Sequence, residues 1–184
     1  MTNIPEPNYY SSAVIRARLE KRLGAAQSIE DYVGDNYAKD VTECFNILDI
    51  DYPVTAAGIL GRALENCTKE YCERKISNKR KLSVNTASWP ISNIRRVLVE
   101  GNQKDRLSFL NQQEVTKNGH KLKLKKKYIT DAVYTYLIDI KNLRNDAFHG
   151  CDDEKYLEWE SRSYILIELG MNCLVSLVKE MNDI

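Results

Sequence analysis

The sequence predicts an all-α protein: one domain over residues 1–184, folded as an antiparallel helical bundle with a basic insertion between two core helices. Three observations predict it. Only 8 Gly and 4 Pro occur in 184 residues, too few breakers for a many-turned sheet protein. Apolar residues recur every three or four positions through most of the chain, which aligns them on one face of a helix. Apolar residues make up 43% and charged residues 29%, the balance of a chain that can bury a core without disulfides or metal.

The first predicted helix covers residues 11–33. Ile15, Leu19, Leu23, Ala26 and Ile29 share a face, Ser11 or Ser12 caps the start, and Gly34 ends it. The second starts near Asp35 or Asn36 and carries Tyr37, Val41, Phe45 and Leu48; it must stop before Pro53, because a residue preceding Pro avoids the helical region. Pro53 then opens the third, where a missing N–H costs nothing. Its buried stripe is Ala56, Leu60, Ala63, Leu64, Cys67 and Tyr71, and Ala57, Gly58 and Gly61 let a neighbouring helix come close. Residues 77–127 break the pattern and form the insertion. It holds short helices over 90–99 and 106–115, a turn at Asn118-Gly119, and an alternating stretch from Lys121 to Lys125 that reads as an exposed strand. The fourth core helix starts near Ile129, carries Val133, Tyr136, Leu137, Ile140 and Leu143, and ends near Phe148 with Gly150 as a left-handed stop. Asp152 or Asp153 caps the fifth, which runs to about Met181. The fifth has two apolar stripes, Leu157/Tyr164/Ile167/Met171/Leu174/Val178 and Ile165/Leu169/Cys173/Leu177. A helix apolar on two sides is buried on two sides. Either it is central within one chain or it meets a partner, such as a second copy.

The net charge is +1, so attraction to nucleic acid must come from local clusters. One cluster is Arg74, Lys75, Lys79, Arg80 and Lys81. The other is Lys121, Lys123, Lys125, Lys126 and Lys127, followed by Tyr128, which could stack on a base. Alone, each reads slightly better as a solvated loop or, for the Lys run, the guard of an edge strand, whereas the pair together slightly favours RNA contact. The five Cys are odd in number and lack Cys-x-x-Cys spacing, which fits reduced thiols in a cytoplasmic protein. No apolar run approaches membrane-spanning length, and residues 1–10 lack the order of a signal peptide. No Walker loop, dinucleotide fingerprint or Cys/His metal spacing is present, so no cofactor and no metal is expected. Asp152, Asp153 and Glu154 read better as a helix start than as a Mg²⁺ site.

Only two His occur. His120 sits in a polar turn. His149 sits in Leu143-Arg144-Asn145-Asp146-Ala147-Phe148-His149-Gly150, at the end of an apolar helix. A helix end by itself accounts for Arg and His, because both complement its negative pole. The pair also suits RNA cleavage. An imidazole, with a reference pKa near 6.5, can take the proton of a ribose 2′-hydroxyl or protonate the leaving 5′-oxygen. A guanidinium offers a planar donor fork to phosphate oxygens and steadies the extra charge at phosphorus. Five positions put the two about 140° apart around a regular helix, so convergence predicts an end or bend between them. Cys151 is a further nucleophile candidate, if a helix N-terminus lowers its pKa.

Arg144-Asn145 with His149 four residues further on resembles the signature of HEPN domains. The stretch Thr55-Ala-Ala-Gly-Ile-Leu-Gly-Arg-Ala-Leu-Glu-Asn-Cys resembles the HEPN branch with an Ala-rich helix ending in Arg-Ala-Leu-Glu. The resemblance covers about 36–77 and 128–181. It implies a HEPN-like bundle that forms a homodimer and brings two Arg/His pairs into one cleft. It implies a metal-independent endoribonuclease leaving a 2′,3′-cyclic phosphate, in phage defence, toxin–antitoxin pairs or RNA processing. On that basis Arg144 matches the phosphate-binding Arg, His149 the catalytic His, and Asn145 the polar neighbour that orients them. HEPN toxins neutralised by a nucleotidyltransferase carry a Tyr soon after the His. Here Gly150-Cys151-Asp152 follows and the next Tyr is Tyr156, which argues against that antitoxin. Some HEPN members are inactive, so the alternative is a non-catalytic dimerisation module that binds RNA or a partner protein.

Overall fold

The computed structural model describes residues 11–24, 27–77, 91–117 and 119–183. Among them lie eight helices and one two-stranded hairpin: α1 (Ser12–Leu23), α2 (Ile29–Val33), α3 (Asp35–Asp49), α4 (Pro53–Ser77), α5 (Ile91–Leu98), α6 (Gln103–Leu110), β1 (Val115–Lys117), β2 (His120–Leu122), α7 (Asp131–His149) and α8 (Asp153–Asn182). The protein is all-α in class, and no described helix is long and apolar enough to cross a membrane.

The single helix expected over 11–33 is two helices. Ser11 caps α1, and Gly24 then takes φ 93° and ψ 23°, the left-handed conformation that ends a helix and that residues with a Cβ avoid. Ser28 accepts from the Asp31 N–H and starts α2. A continuous apolar stripe does not reveal a break of this kind, because both short helices keep facing the same core.

α4 is the central element, packed against α3, α7 and α8. Its Ala56, Ala57, Leu60, Ala63, Leu64, Cys67 and Tyr71 are buried; a buried Leu contributes about 1.5–3 kcal/mol. Tyr37 bonds Glu70 while Asp40 and Glu43 pair with Arg62, so α3 and α4 run in opposite senses. A Cβ at Gly58 would meet Ala147 and Phe148, and one at Gly61 would meet Arg144 and Ile140, so α4 and α7 also oppose each other. α8 differs. It touches Leu60 and Leu64 at Gly170, then Tyr71 at Glu180, and so runs in the same sense as α4. Gly58 and Gly61 do what small residues on a helix were expected to do: they let α7 lie close.

The insertion shares this core. Val97, Leu98, Leu107, Phe109, Leu122 and Leu124 belong to the same apolar cluster as the core helices, and the Thr68 hydroxyl donates to Gln103 Oε1 at 3.0 Å across α4 and α6. Arg106, only 3% exposed, donates to the carbonyls of Leu98, Val99 and Gly101 at 2.5, 3.2 and 2.9 Å. It thereby satisfies the last carbonyl of α5 and two carbonyls of the turn that follows. The second insertion helix begins earlier than expected, at Gln103 with Asn102 as cap, and ends at Leu110. Val115 belongs to β1, which pairs antiparallel with β2. Leu122 and Leu124 point into the core while Lys121 and Lys123 stay exposed, so the alternating stretch is buried on one face.

The fifth predicted helix, α8, starts at the Asp152 cap, whose carboxylate accepts from the Lys155 N–H at 2.8 Å. Its two stripes are buried only from the middle onward. Leu157 and Ile165 are exposed.

Candidate functional site

α7 is anchored at both ends. Thr130 caps its start, and Gly150 follows its end with φ 85° and ψ 150°. The stop therefore has the positive φ that favours glycine, but its ψ lies outside the left-handed helical conformation. The Gly150 N–H donates to the Asp146 carbonyl at 2.9 Å, and the buried Trp159 indole donates to Asp146 Oδ2 at 2.6 Å. A buried indole N–H needs an acceptor. Asp146 supplies it, and so fixes the C-terminus of α7 against α8.

Arg144, Phe148 and His149 on α7 and Arg62 on α4 line one recess of about 260 Å³. The helix stays regular through His149, contrary to the expected break or bend. The pair lines one recess with Arg62 of α4, which Gly58 and Gly61 bring close to α7. His149 is exposed and makes no hydrogen bond or ion pair among the described residues. Asn145 is half-buried and does not line the recess.

Both guanidiniums at the recess have carboxylate partners. Arg144 pairs with Glu65, one turn beyond Gly61 on α4. Arg62 donates to Asp40 at 2.6 Å and to Glu43 at 3.0 Å, and these acids hold its pKa above the ordinary arginine value. All these groups are partly exposed, with 27% of the Arg144 side chain open and 47% of Arg62. Partly exposed pairs contribute about 0–1 kcal/mol each. A bidentate phosphate, with charge-assisted bonds worth about 1.5–3 kcal/mol, can displace such a carboxylate.

Sequence reasoning singled out Arg62 and Glu65 within the Arg-Ala-Leu-Glu stretch but gave neither of them, nor Asp40 or Glu43, a role at the site. The available signal was the Gly58/Gly61 spacing, which marks the α4 face that meets α7 and so the residues beside it.

The basic clusters lie elsewhere. Arg74 donates twice to Glu70, at 3.0 and 2.6 Å, and once to the Met181 carbonyl at 3.4 Å, which leaves its guanidinium little to offer RNA. Lys127 pairs with Asp131 at 2.7 Å and Lys121 with Glu114 at 3.0 Å. Lys123, Lys125 and Lys126 are exposed. Tyr128 is half-buried under cations, with Lys126 at 5.2 Å and Lys75 at 5.7 Å from its ring centre. That contact joins the Arg74 and Lys123–Lys127 clusters at one end of the molecule. Lys79, Arg80 and Lys81 lie outside the described residues. The recess is at the other end of α7, whose 19 residues span about 28 Å.

Cys151 is the exposed thiol among five free cysteines. Local desolvation, and then the carboxylates of Asp146 and Asp152, raise its pKa above the ordinary value. The direction is opposite to the lowering expected at a helix N-terminus, and the thiolate is disfavoured.

The chain matches no family model, no curated protein and no solved structure.

Proposed function

We propose that the chain is a metal-independent endoribonuclease of the HEPN type, acting as a homodimer. One observation carries the proposal: Arg144 and His149 line a single recess of about 260 Å³, with the imidazole exposed rather than buried in the core. In this reading His149 removes the proton of a ribose 2′-hydroxyl. The O2′ attacks the adjacent phosphorus and the P–O5′ bond breaks. Products are a 2′,3′-cyclic phosphate and, once the leaving oxygen is protonated, a 5′-hydroxyl. Arg144 exchanges Glu65 for the phosphate and stabilises its added charge. The nucleophile belongs to the substrate, so the step needs no metal-bound water.

A homodimer gives the second Arg/His pair that this family resemblance implies, and with it a second imidazole to protonate the leaving oxygen. The end of the chain that carries the recess supplies a surface for it. There α3 hands over to α4 and α7 to α8, and Ile50, Tyr52, Tyr156 and Leu157 are exposed. The context of phage defence, a toxin or RNA processing follows from the resemblance alone.

The test is cleavage of unmodified RNA in EDTA by the wild type, Arg144→Ala and His149→Ala. Each substitution should lower the rate by about a hundredfold or more. Equal activity in all three rejects the assignment. A second reading, a non-catalytic module that binds RNA or a partner protein, is favoured by the carboxylates that occupy Arg62 and Arg144. It predicts salt-sensitive binding with no cleavage product in any buffer.

A further inference from the structure

Two side chains of the recess, Arg62 and Phe148, are not used by the proposed cleavage step. Phe148 is 53% exposed, yet its ring is seated: a Cβ at Gly58 would lie 3.4 and 3.5 Å from two of its carbons. The ring edge therefore rests on the backbone of α4 while half of its surface stays open. Beside it in the same recess are the guanidiniums of Arg62 and Arg144 and the imidazole of His149. An open aromatic surface next to two cations complements a flat group joined to an anion. A nucleotide has that build, but its base can offer a face only when unpaired, since neighbours in a duplex cover both faces.

We propose that the recess seats one unpaired nucleotide of the RNA, its base stacked on Phe148 and its phosphate held by Arg62 together with Arg144. The proposal rests on the ribonuclease reading and names the side chains that position the substrate at that site. Spacing supports it. Arg144 and Phe148 are four residues apart on α7, which places their Cβ atoms about 5–6 Å from each other on one face. A ribose can bridge that separation. Arg62 reaches the recess from α4, so the phosphate is held from two helices, and the carboxylates of Asp40, Glu43 and Glu65 hold both guanidiniums in place until it arrives.

The test uses the wild-type chain and a 2′-O-methyl ten-nucleotide RNA of mixed sequence, which offers no 2′-hydroxyl to cleave. Affinity is measured by fluorescence anisotropy at one fixed salt concentration, for the single strand and for its blunt duplex. The single strand should bind at least about tenfold tighter. Phe148→Ala should lose about tenfold or more on the single strand, the size of one lost stack, and change the duplex little. Phe148→Trp should retain the single-strand affinity. Equal binding of the two forms, or an unchanged single-strand affinity for Phe148→Ala, overturns the proposal. So does conversion of a dimer to a monomer by Phe148→Ala in sedimentation, which makes the ring a contact between copies. Cleavage of unmodified RNA in EDTA decides the ribonuclease reading separately. Cleavage with an affinity indifferent to Phe148 removes the stacking subsite alone. Single-strand preference without cleavage removes the nuclease alone.

Discussion

Replacing Gly61 by Ala places a methyl carbon 3.0 Å from Arg144 Cβ, 3.2 Å from Ile140 Cγ2 and 3.3 Å from Arg144 Cγ. Carbon atoms at ease sit about 3.5–4.0 Å apart. α7 must therefore shift by several tenths of an ångström, and two of the three crowded atoms are the stem of the site arginine. Local physics favours the substitution, because Ala is about 1 kcal/mol better than Gly inside a helix. Overpacking opposes it by about 1–3 kcal/mol. The net effect should lie between neutral and about 2 kcal/mol destabilising. Gly58, one turn earlier, is the control: its added carbon would lie at 3.4, 3.4 and 3.5 Å from its neighbours, close to ordinary contact. Gly58→Ala should keep most of the helix gain and stabilise by up to about 1 kcal/mol. For a chain this long each kcal/mol moves Tm by about 2–4 °C. The two variants should thus melt several degrees apart by calorimetry, with Gly61→Ala lower and slower in RNA cleavage. If Gly61→Ala melts as high as Gly58→Ala, the close seating of Arg144 on α4 is wrong.

Three further outcomes are expected. Arg106→Met leaves the buried carbonyls of Leu98, Val99 and Gly101 without their donor and should cost about 3 kcal/mol or more in urea denaturation, with Arg106→Lys recovering part of it. Burial pushes the Glu30 carboxyl up, but Arg16 outweighs it and the pKa falls below its ordinary 4.5; Glu70, under burial and then Tyr37 and Arg74, behaves alike. Their stabilisation is complete above pH 4.5 and fades as pH drops through the folded-state values, so Glu30→Gln and Glu70→Gln should flatten the loss of stability in acid titrations read by circular dichroism. In RNA binding measured against salt, Lys123→Gln and Lys126→Gln should each reduce the log–log slope by about 0.7 if the strand reaches that end, whereas Arg74→Gln should leave it unchanged.

Three helix boundaries were readable from a chemical marker in the chain. Pro53 opens α4, Asp152 caps α8, and Gly34 closes α2. The break at Gly24 was missed because the apolar spacing runs on across it. Arg106 was not readable as a core residue, since a buried guanidinium depends on three carbonyls that only folding brings together. Leu157 was placed in the core by periodicity alone, but at the start of α8 it is Trp159 that is buried against α7, and Leu157 is exposed.

The sequence by itself determined the helical class, the residues that pack around α4, and the crowding of Arg144, Phe148 and His149 near one helix end. Each of these is written in spacing along a single element, and the periodicity of a helix is a local property. Only the tertiary structure decided that Arg62 faces the same recess, that Glu65, Asp40 and Glu43 hold the two guanidiniums, and that Tyr128 gathers the basic clusters at the far end of α7. Those facts depend on how closely α4 and α7 approach, which two glycines permit and no single-helix pattern encodes.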